Sequence, residues 1–167
     1  MDARSKVFIF LAAVLTACNT VGQDQAGTPE PIDLATRDLA QAVKHIDDKA
    51  QHCKAQERKI DLTPVASLGF PAEETTRALG YFHMSNYMTC IQPELGQYYS
   101  ALQAVHALAP ERNAQEASRL FAHEQARYYR YQADFLKLSE EHRKAFENIP
   151  ALQQPFDLLT AIKALQQ

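Results

Sequence analysis

The chain has 167 residues, 46% of them hydrophobic, and a formal net charge of −3 at neutral pH. This length corresponds to one ordinary globular domain with a short leader, which is enough chain for a single core. The 17 lysines and arginines are not gathered into a block. Because nucleic-acid-binding proteins usually carry a clustered basic footprint, the composition argues against a nucleic-acid partner.

The first predicted element is an export signal. Arg4 and Lys6 precede an uncharged apolar run, Val7–Leu15. The run is too short to cross a bilayer core, which takes about 20 helical residues. A positive start followed by a short apolar run is typical of a secretory signal. Two alternatives stay open: an ordinary secretory signal, in which the cysteine that follows the run (Cys18) is there by chance, and a short buried helix.

The apolar run ends in the sequence Leu15-Thr16-Ala17-Cys18. This resembles the lipobox of bacterial lipoproteins, in which a leucine, a small or polar residue and a small residue precede a cysteine. The resemblance implies that residues 1–17 are removed by signal peptidase II and that Cys18 receives diacylglycerol. It also implies a further acyl chain, such as palmitate, on the new amine. Two or three acyl chains anchor a protein stably, whereas one binds only marginally.

Two cysteines remain once Cys18 is acylated, namely Cys53 and Cys90. Export to an oxidising compartment favours a disulfide between them over two separate buried thiols. They lie 37 residues apart, and closing that loop stabilises the fold by roughly 3–4 kcal/mol in the chain-entropy model. Neither cysteine belongs to a CxxC motif, so we predict no cysteine metal site.

Residues 18–31 are predicted to comprise the lipidated cysteine and a flexible tether. The tether is predicted because the segment contains Gly, Gln, Thr and Pro without apolar periodicity. Residues 32–167 are predicted to form one helical domain. Its first helix runs from about Pro31 to Ile60, with apolar residues at spacings of three and four. The linker "DLTPVASLGFP" follows and contains two prolines and a glycine.

A second helix is predicted to begin at Pro71, since proline suits the first helical turn. Gly80 lies inside it, where it permits the close approach of a neighbouring helix. We expect Pro93 to end or kink this helix. A third helix then covers Leu95–Leu108 before Pro110.

The fourth predicted helix has the clearest apolar stripe, with steps of four and three residues, and it extends toward Ile149. Its members are Ala117, Phe121, Glu124, Tyr128, Tyr131, Phe135 and Leu138. Only Glu124 breaks the apolar pattern, and we expect it to pair with an arginine or a histidine. A last short helix is predicted over Pro155–Leu165.

These elements predict an all-α fold, an antiparallel bundle of four main helices plus a short C-terminal helix. The predicted disulfide conflicts with the simplest version of this bundle. Cys53 and Cys90 are both late in their predicted helices, and antiparallel neighbours would not bring them together. The second helix must therefore cross the first at an angle or run back beside it.

The sequence contains no recognisable catalytic or metal motif. None of the six histidines (His45, His52, His83, His106, His123 and His142) has a histidine partner at i+4 or a glutamate three residues before it. This argues against HExxH and ferritin-like di-iron sites. There is also no G-x-S-x-G elbow and no Gly-rich phosphate loop. We therefore predict no catalytic residue, no metal and no cofactor.

Tyrosine is the most unevenly distributed residue type. Tyr98 and Tyr99 are adjacent, and Tyr129 lies off the apolar stripe between Arg127 and Arg130. Tyrosine and arginine are enriched at protein–protein hot spots. We therefore predict that these five residues contact a partner. The alternative is a wide apolar stripe with amphipathic edges.

Together these features predict a lipid-anchored envelope protein that faces the periplasm and binds or assembles a protein partner without catalysis. The residue after Cys18 is Asn19, which in bacterial lipoproteins is compatible with the inner leaflet of the outer membrane. Two alternatives stay open: a helical carrier of a small ligand or metal, and an envelope enzyme.

Overall fold

The computed structural model describes residues 29–110 and 119–165. Within these ranges the secondary structure is helical, which confirms the predicted all-α class. The helices are α1 (Pro31–Ala55), α2 (Thr63–Ala66), α3 (Ala72–Leu108), α4 (Ala122–Leu136), α5 (Glu140–Glu147) and α6 (Leu158–Leu165), with a 3-10 turn over Pro150–Gln153. The predicted signal peptide (residues 1–17), Cys18 and the tether up to residue 28 lie outside the described residues, as does Ala117.

The predicted second and third helices are one continuous helix of 37 residues, α3. Pro93 lies inside it and is exposed to solvent. Of the two outcomes predicted for this proline, the end of the helix is wrong, because Ile91 and Leu95 on either side of it are buried. Their packing outweighs the local cost of a missing backbone hydrogen bond.

Helix α1 runs antiparallel along the second half of α3. Ala42 and Ile46 of α1 pack against Leu95, Tyr98 and Leu102 of α3 in the first of two hydrophobic cores. Because α1 continues toward the middle of α3, its C-terminal end reaches the centre of the longer helix rather than its start.

The disulfide between Cys53 and Cys90 is confirmed, with Cα atoms 6.1 Å apart. Cys53 lies near the end of α1, and Cys90 lies in the middle of α3. The conflict between the bridge and antiparallel packing therefore disappears. It depended on splitting α3 at Pro93, which placed Cys90 at the end of a shorter helix.

Helix α4 runs antiparallel along α3 from the other side, with Phe121 against Tyr98 and Phe135 against Phe82. The second core forms where the first half of α3 meets α4, α5 and the C-terminal segment. Its buried members include Val65, Leu79, Phe82, Phe135, Phe146, Leu152 and Phe156.

The fourth predicted helix does not continue to Ile149. It ends at Leu136, and Ser139 begins α5 by accepting a hydrogen bond from the backbone N–H of His142 at 3.1 Å. The predicted antiparallel bundle of four main helices is therefore not found. The structure instead has one long helix, α3, with α1 and α4 packed antiparallel to it and shorter helices at one end.

The ends of α1 and α6 also differ from the prediction. α1 ends at Ala55 rather than Ile60, and α6 begins at Leu158 rather than Pro155. The intervening residues pair with one another, since the N–H of Asp157 donates to the carbonyl of Arg58 at 2.9 Å. No helix in the described ranges has the length and apolarity needed to cross a membrane.

Candidate functional site

The five residues predicted to contact a partner do not form one surface. Tyr98 is fully buried, and its ring packs against Tyr99 and Phe121. Burial, and then the neighbouring Tyr99, raises the pKa of Tyr98 to about 12. The assignment of Tyr98 to a contact surface is wrong, because α1 and Phe121 pack against this side chain and bury it in the core.

Tyr99 is half-buried and belongs to the packing between α3 and α4. Its hydroxyl donates a hydrogen bond to Oε1 of Gln125 at 2.9 Å, and burial raises the pKa of its hydroxyl. This side chain therefore joins two helices and is not available as a partner contact.

Of the other three predicted residues, Tyr129 and Arg130 lie next to each other on the outside of α4, where Tyr129 is 64% exposed and Arg130 is exposed. Arg127 is also exposed, but it lies about 200° around the helix from Tyr129, on the side where its charge acts on Tyr87 of α3. Among the described residues, neither arginine forms a salt bridge. The ring of Tyr129 is supported by Tyr128, whose centroid lies 5.5 Å away. This surface therefore offers to solvent one large aromatic side chain and one cation, Arg130, that is not paired with any described residue.

The inner side of α4 carries the predicted apolar stripe. Phe135 and Leu138 are buried, and Tyr131 packs so closely over Gly80 that a Cβ on that glycine would overlap its ring. This confirms the expected close approach at Gly80. The rings of Tyr81 and Phe135 stack with centroids 4.3 Å apart.

Glu124 does not pair with an arginine or a histidine anywhere in the part of the chain that the structure describes. One of its carboxylate oxygens is buried without a hydrogen-bond partner, as is one oxygen of Glu94. The other oxygen of Glu94 lies 3.8 Å from Nζ of Lys49. Burial, followed by the negative charge of Glu124, raises the pKa of Tyr87 nearby. These groups mark a polar junction between α1, α3 and α4.

A groove of about 860 Å³ runs between α1 and the second half of α3. Small side chains dominate its apolar floor, and Leu34 is exposed within it. The lining includes Ala35, Ala42, Gly96, Ala101 and Ala104. The sequence reading missed this groove. Its only signal was the recurrence of small residues on two helices, which resembles ordinary helix-favouring composition.

The histidines are dispersed over the molecule rather than gathered into a site. Nδ1 of His142 lies 2.5 Å from Oε2 of Glu74, and its ring stacks on Phe70. His83 contacts the carbonyl oxygen of Phe156 at 3.0 Å. Among residues 29–110 and 119–165, no group of three His, Cys, Asp or Glu side chains could hold a metal ion.

A small cavity beside the disulfide is lined by residues that include His83, Asn86 and Tyr87. Its volume of about 10 Å³ is roughly that needed to hold one water molecule. This space is too small for an organic ligand.

Comparison with family models, with curated proteins and with solved structures finds no match to this chain.

Proposed function

We propose that this chain is a lipid-anchored, periplasm-facing envelope protein that binds or assembles a protein partner and has no catalytic role. The anchor would be the acylated Cys18, followed by a tether that ends where α1 begins. Asn19 after the acylated cysteine is compatible with the inner leaflet of the outer membrane as its location.

One observation supports partner binding most directly, namely the exposed surface of α4 around Tyr129. A tyrosine that is 64% exposed leaves a large apolar ring in water. Aromatic residues combined with arginine are the side chains most enriched at binding hot spots. Arg130 follows Tyr129 directly and is exposed, so the surface combines apolar area with positive charge. The open groove between α1 and α3 is a second place where a peptide could bind.

The proposal is tested in the native envelope with a photo-crosslinking residue placed at position 129. A matched protein carries the same residue at position 163, which is also exposed and helical. We expect a discrete protein adduct from position 129 and none of the same size from position 163. In a Cys18→Ala background the adduct should be strongly reduced, because the protein is no longer held beside an envelope partner.

The anchor is tested separately by the mass of the mature N-terminus. We expect a chain that begins at residue 18 and carries diacylglycerol on the thiol. An unmodified thiol, or a chain that retains residues 1–17, would refute the anchor. Identical adducts from both positions would refute a specific binding surface on α4.

A further inference from the structure

Helix α4 has a second apolar row on its outer side. The row repeats at steps of four and three residues, and all five of its members are exposed. They are Ala122, Ala126, Tyr129, Ala133 and Leu136. Tyr129 is 64% exposed and Leu136 is 58% exposed. We call these five residues the outer row.

The outer row is distinct from the stripe that packs against α3. Phe135 and Tyr131 point toward α3. Successive residues of a helix are about 100° apart, so Tyr129 and Leu136 lie well away from that direction. A helix with apolar residues on two sides is expected to be covered on both. In the described structure only one of the two sides is covered.

The spacing and the side chains of the outer row suit another helix. Steps of four and three residues are those of the contact positions in coiled coils. The three alanines allow a second helix axis to come close, since interaxial distance depends on the side chains at the contact. Tyr129 and Leu136 would supply the large side chains that insert between residues of that helix.

The charges beside the outer row indicate which helix would bind. His123, Arg130 and Lys137 follow the row on one side, while Gln125 and Gln132 follow it on the other. Lys137 already forms a salt bridge with Asp134, in which Nζ of the lysine lies 2.6 Å from Oδ1 of the aspartate. Arg130 is exposed and forms no salt bridge with any described residue. Charges that flank the contact positions set partner choice in paired helices. We therefore expect acidic residues on the side of the partner helix that faces Arg130.

A second copy of the chain does not meet this requirement. Two copies paired in parallel would place Arg130 beside Gln125 of the other copy, which carries no negative charge. Two copies paired antiparallel about Tyr129 would bring the same side of each helix together, and Arg130 would face Arg130. Like charges placed opposite each other disfavour such a dimer.

A membrane surface is also a poorer match. Helices that lie in a bilayer interface bury Trp, Phe and Leu on their apolar side. Three of the five residues in the outer row are alanines, which add little apolar area. The row is better suited to close packing against a helix than to insertion among acyl chains.

We propose that the outer row of α4 binds an amphipathic helix of the partner protein, and that acidic residues flank the apolar positions of that helix. The inference deepens the proposed function and rests on it. It names the chemistry of the partner without requiring that the groove between α1 and α3 take part.

The test uses the acylated full-length protein in neutral lipid nanodiscs and two synthetic helices. Both peptides have the same leucine positions at steps of three and four, and one has glutamate at the flanking positions while the other has lysine. We expect the glutamate peptide to bind at least ten-fold more tightly, and more weakly as salt is raised. Tyr129→Ala should weaken binding by about 30-fold, as at other aromatic hot spots.

Charge reversal provides the discriminating variant. Arg130→Glu together with Lys137→Glu should reverse the preference, so that the lysine peptide binds better. Arg37→Glu, an exposed change on α1, should leave the preference unchanged. Helicity measured by circular dichroism checks that each variant is folded.

Equal binding of the two peptides, or no reversal by the double variant, would overturn the inference. So would binding to vesicles of anionic phospholipid that is lost in Tyr129→Ala, which would indicate a membrane surface. A dimer in sedimentation that requires Tyr129 would indicate a second copy. If crosslinking from position 129 still yields a discrete adduct in any of these cases, the proposed function stands without the acidic helix.

Discussion

The approach of α4 to α3 depends at one point on a residue without a side chain. Gly80 of α3 faces the ring of Tyr131 in α4, so the two helices meet there at a distance that no larger residue permits. The sequence suggested this role, because glycine inside a helix costs about 1 kcal/mol and is tolerated for a reason. It did not show which residue would fill the space, since that depends on how α4 is placed.

We expect Gly80→Ala to lower the free energy of unfolding. Overpacking a core costs about 1–3 kcal/mol, which exceeds the roughly 1 kcal/mol that alanine gains over glycine in a helix. Gly96 lies in the same helix with nothing within 4 Å of a Cβ placed on it. Gly96→Ala should therefore raise stability by up to about 1 kcal/mol. Urea denaturation of both variants checks the difference, and equal stability would mean that the Tyr131 ring moves aside freely.

At the scale of elements, local sequence patterns correctly predicted where helices begin and which side of a helix is apolar. Pro71 precedes α3 as its N-cap, α1 begins at Pro31, and the apolar stripe of α4 faces α3 as expected. The continuation through Pro93 could not be predicted from local signals. It depends on the packing of Ile91 and Leu95, and that packing exists only when the other helices are in place.

The candidate binding surface was partly predictable for the same reason. The exposure of Tyr129 could be predicted because this residue lies off the stripe, which is a property of α4 alone. Tyr98 and Tyr99 were misassigned, because their burial depends on α1, on Phe121 just before α4 and on Gln125 within α4. A pair of adjacent tyrosines does not reveal whether another helix covers it.

The disulfide fixes how α1 is placed on α3, and we expect its removal to weaken this packing without abolishing it. Cys53→Ala with Cys90→Ala releases a loop of 37 residues and should lower the free energy of unfolding by roughly 3–4 kcal/mol. The helix content should persist, since Ile46 and Ala42 remain buried against α3. Thermal unfolding followed by circular dichroism measures the effect.

Reduction of the wild-type protein provides the control for the disulfide. Reduction breaks the bond and keeps both side chains, so the thermal midpoint of the reduced protein should approach that of the double variant. A thermal midpoint that neither treatment changes would show that the bridge does not restrict the conformational freedom of the unfolded chain. A complete loss of helicity would show instead that α1 cannot pack without it.

Over the whole molecule, both cores and the junction between them contain tyrosines whose protons are held more tightly in the folded chain. Burial raises the pKa of Tyr81, Tyr87, Tyr98 and Tyr99, and the value for Tyr98 reaches about 12. The unfolded chain releases these protons near pH 10. The folded chain therefore binds more protons than the unfolded chain above that pH.

The contribution of these tyrosines to stability should accordingly be constant well below pH 10 and fall as the pH rises through about 10 to 12. Tyr98 alone accounts for up to about 3 kcal/mol of this loss, since one pKa unit corresponds to about 1.4 kcal/mol. We expect Tyr98→Phe to reduce the slope of the free energy of unfolding against pH in this window. Urea denaturation at several pH values measures the slope, and tyrosinate absorbance in denaturant gives the unfolded reference. A free energy of unfolding that stays flat to pH 12 would mean that Tyr98 ionises in the core as easily as in water, which its complete burial between α1, α3 and Phe121 argues against.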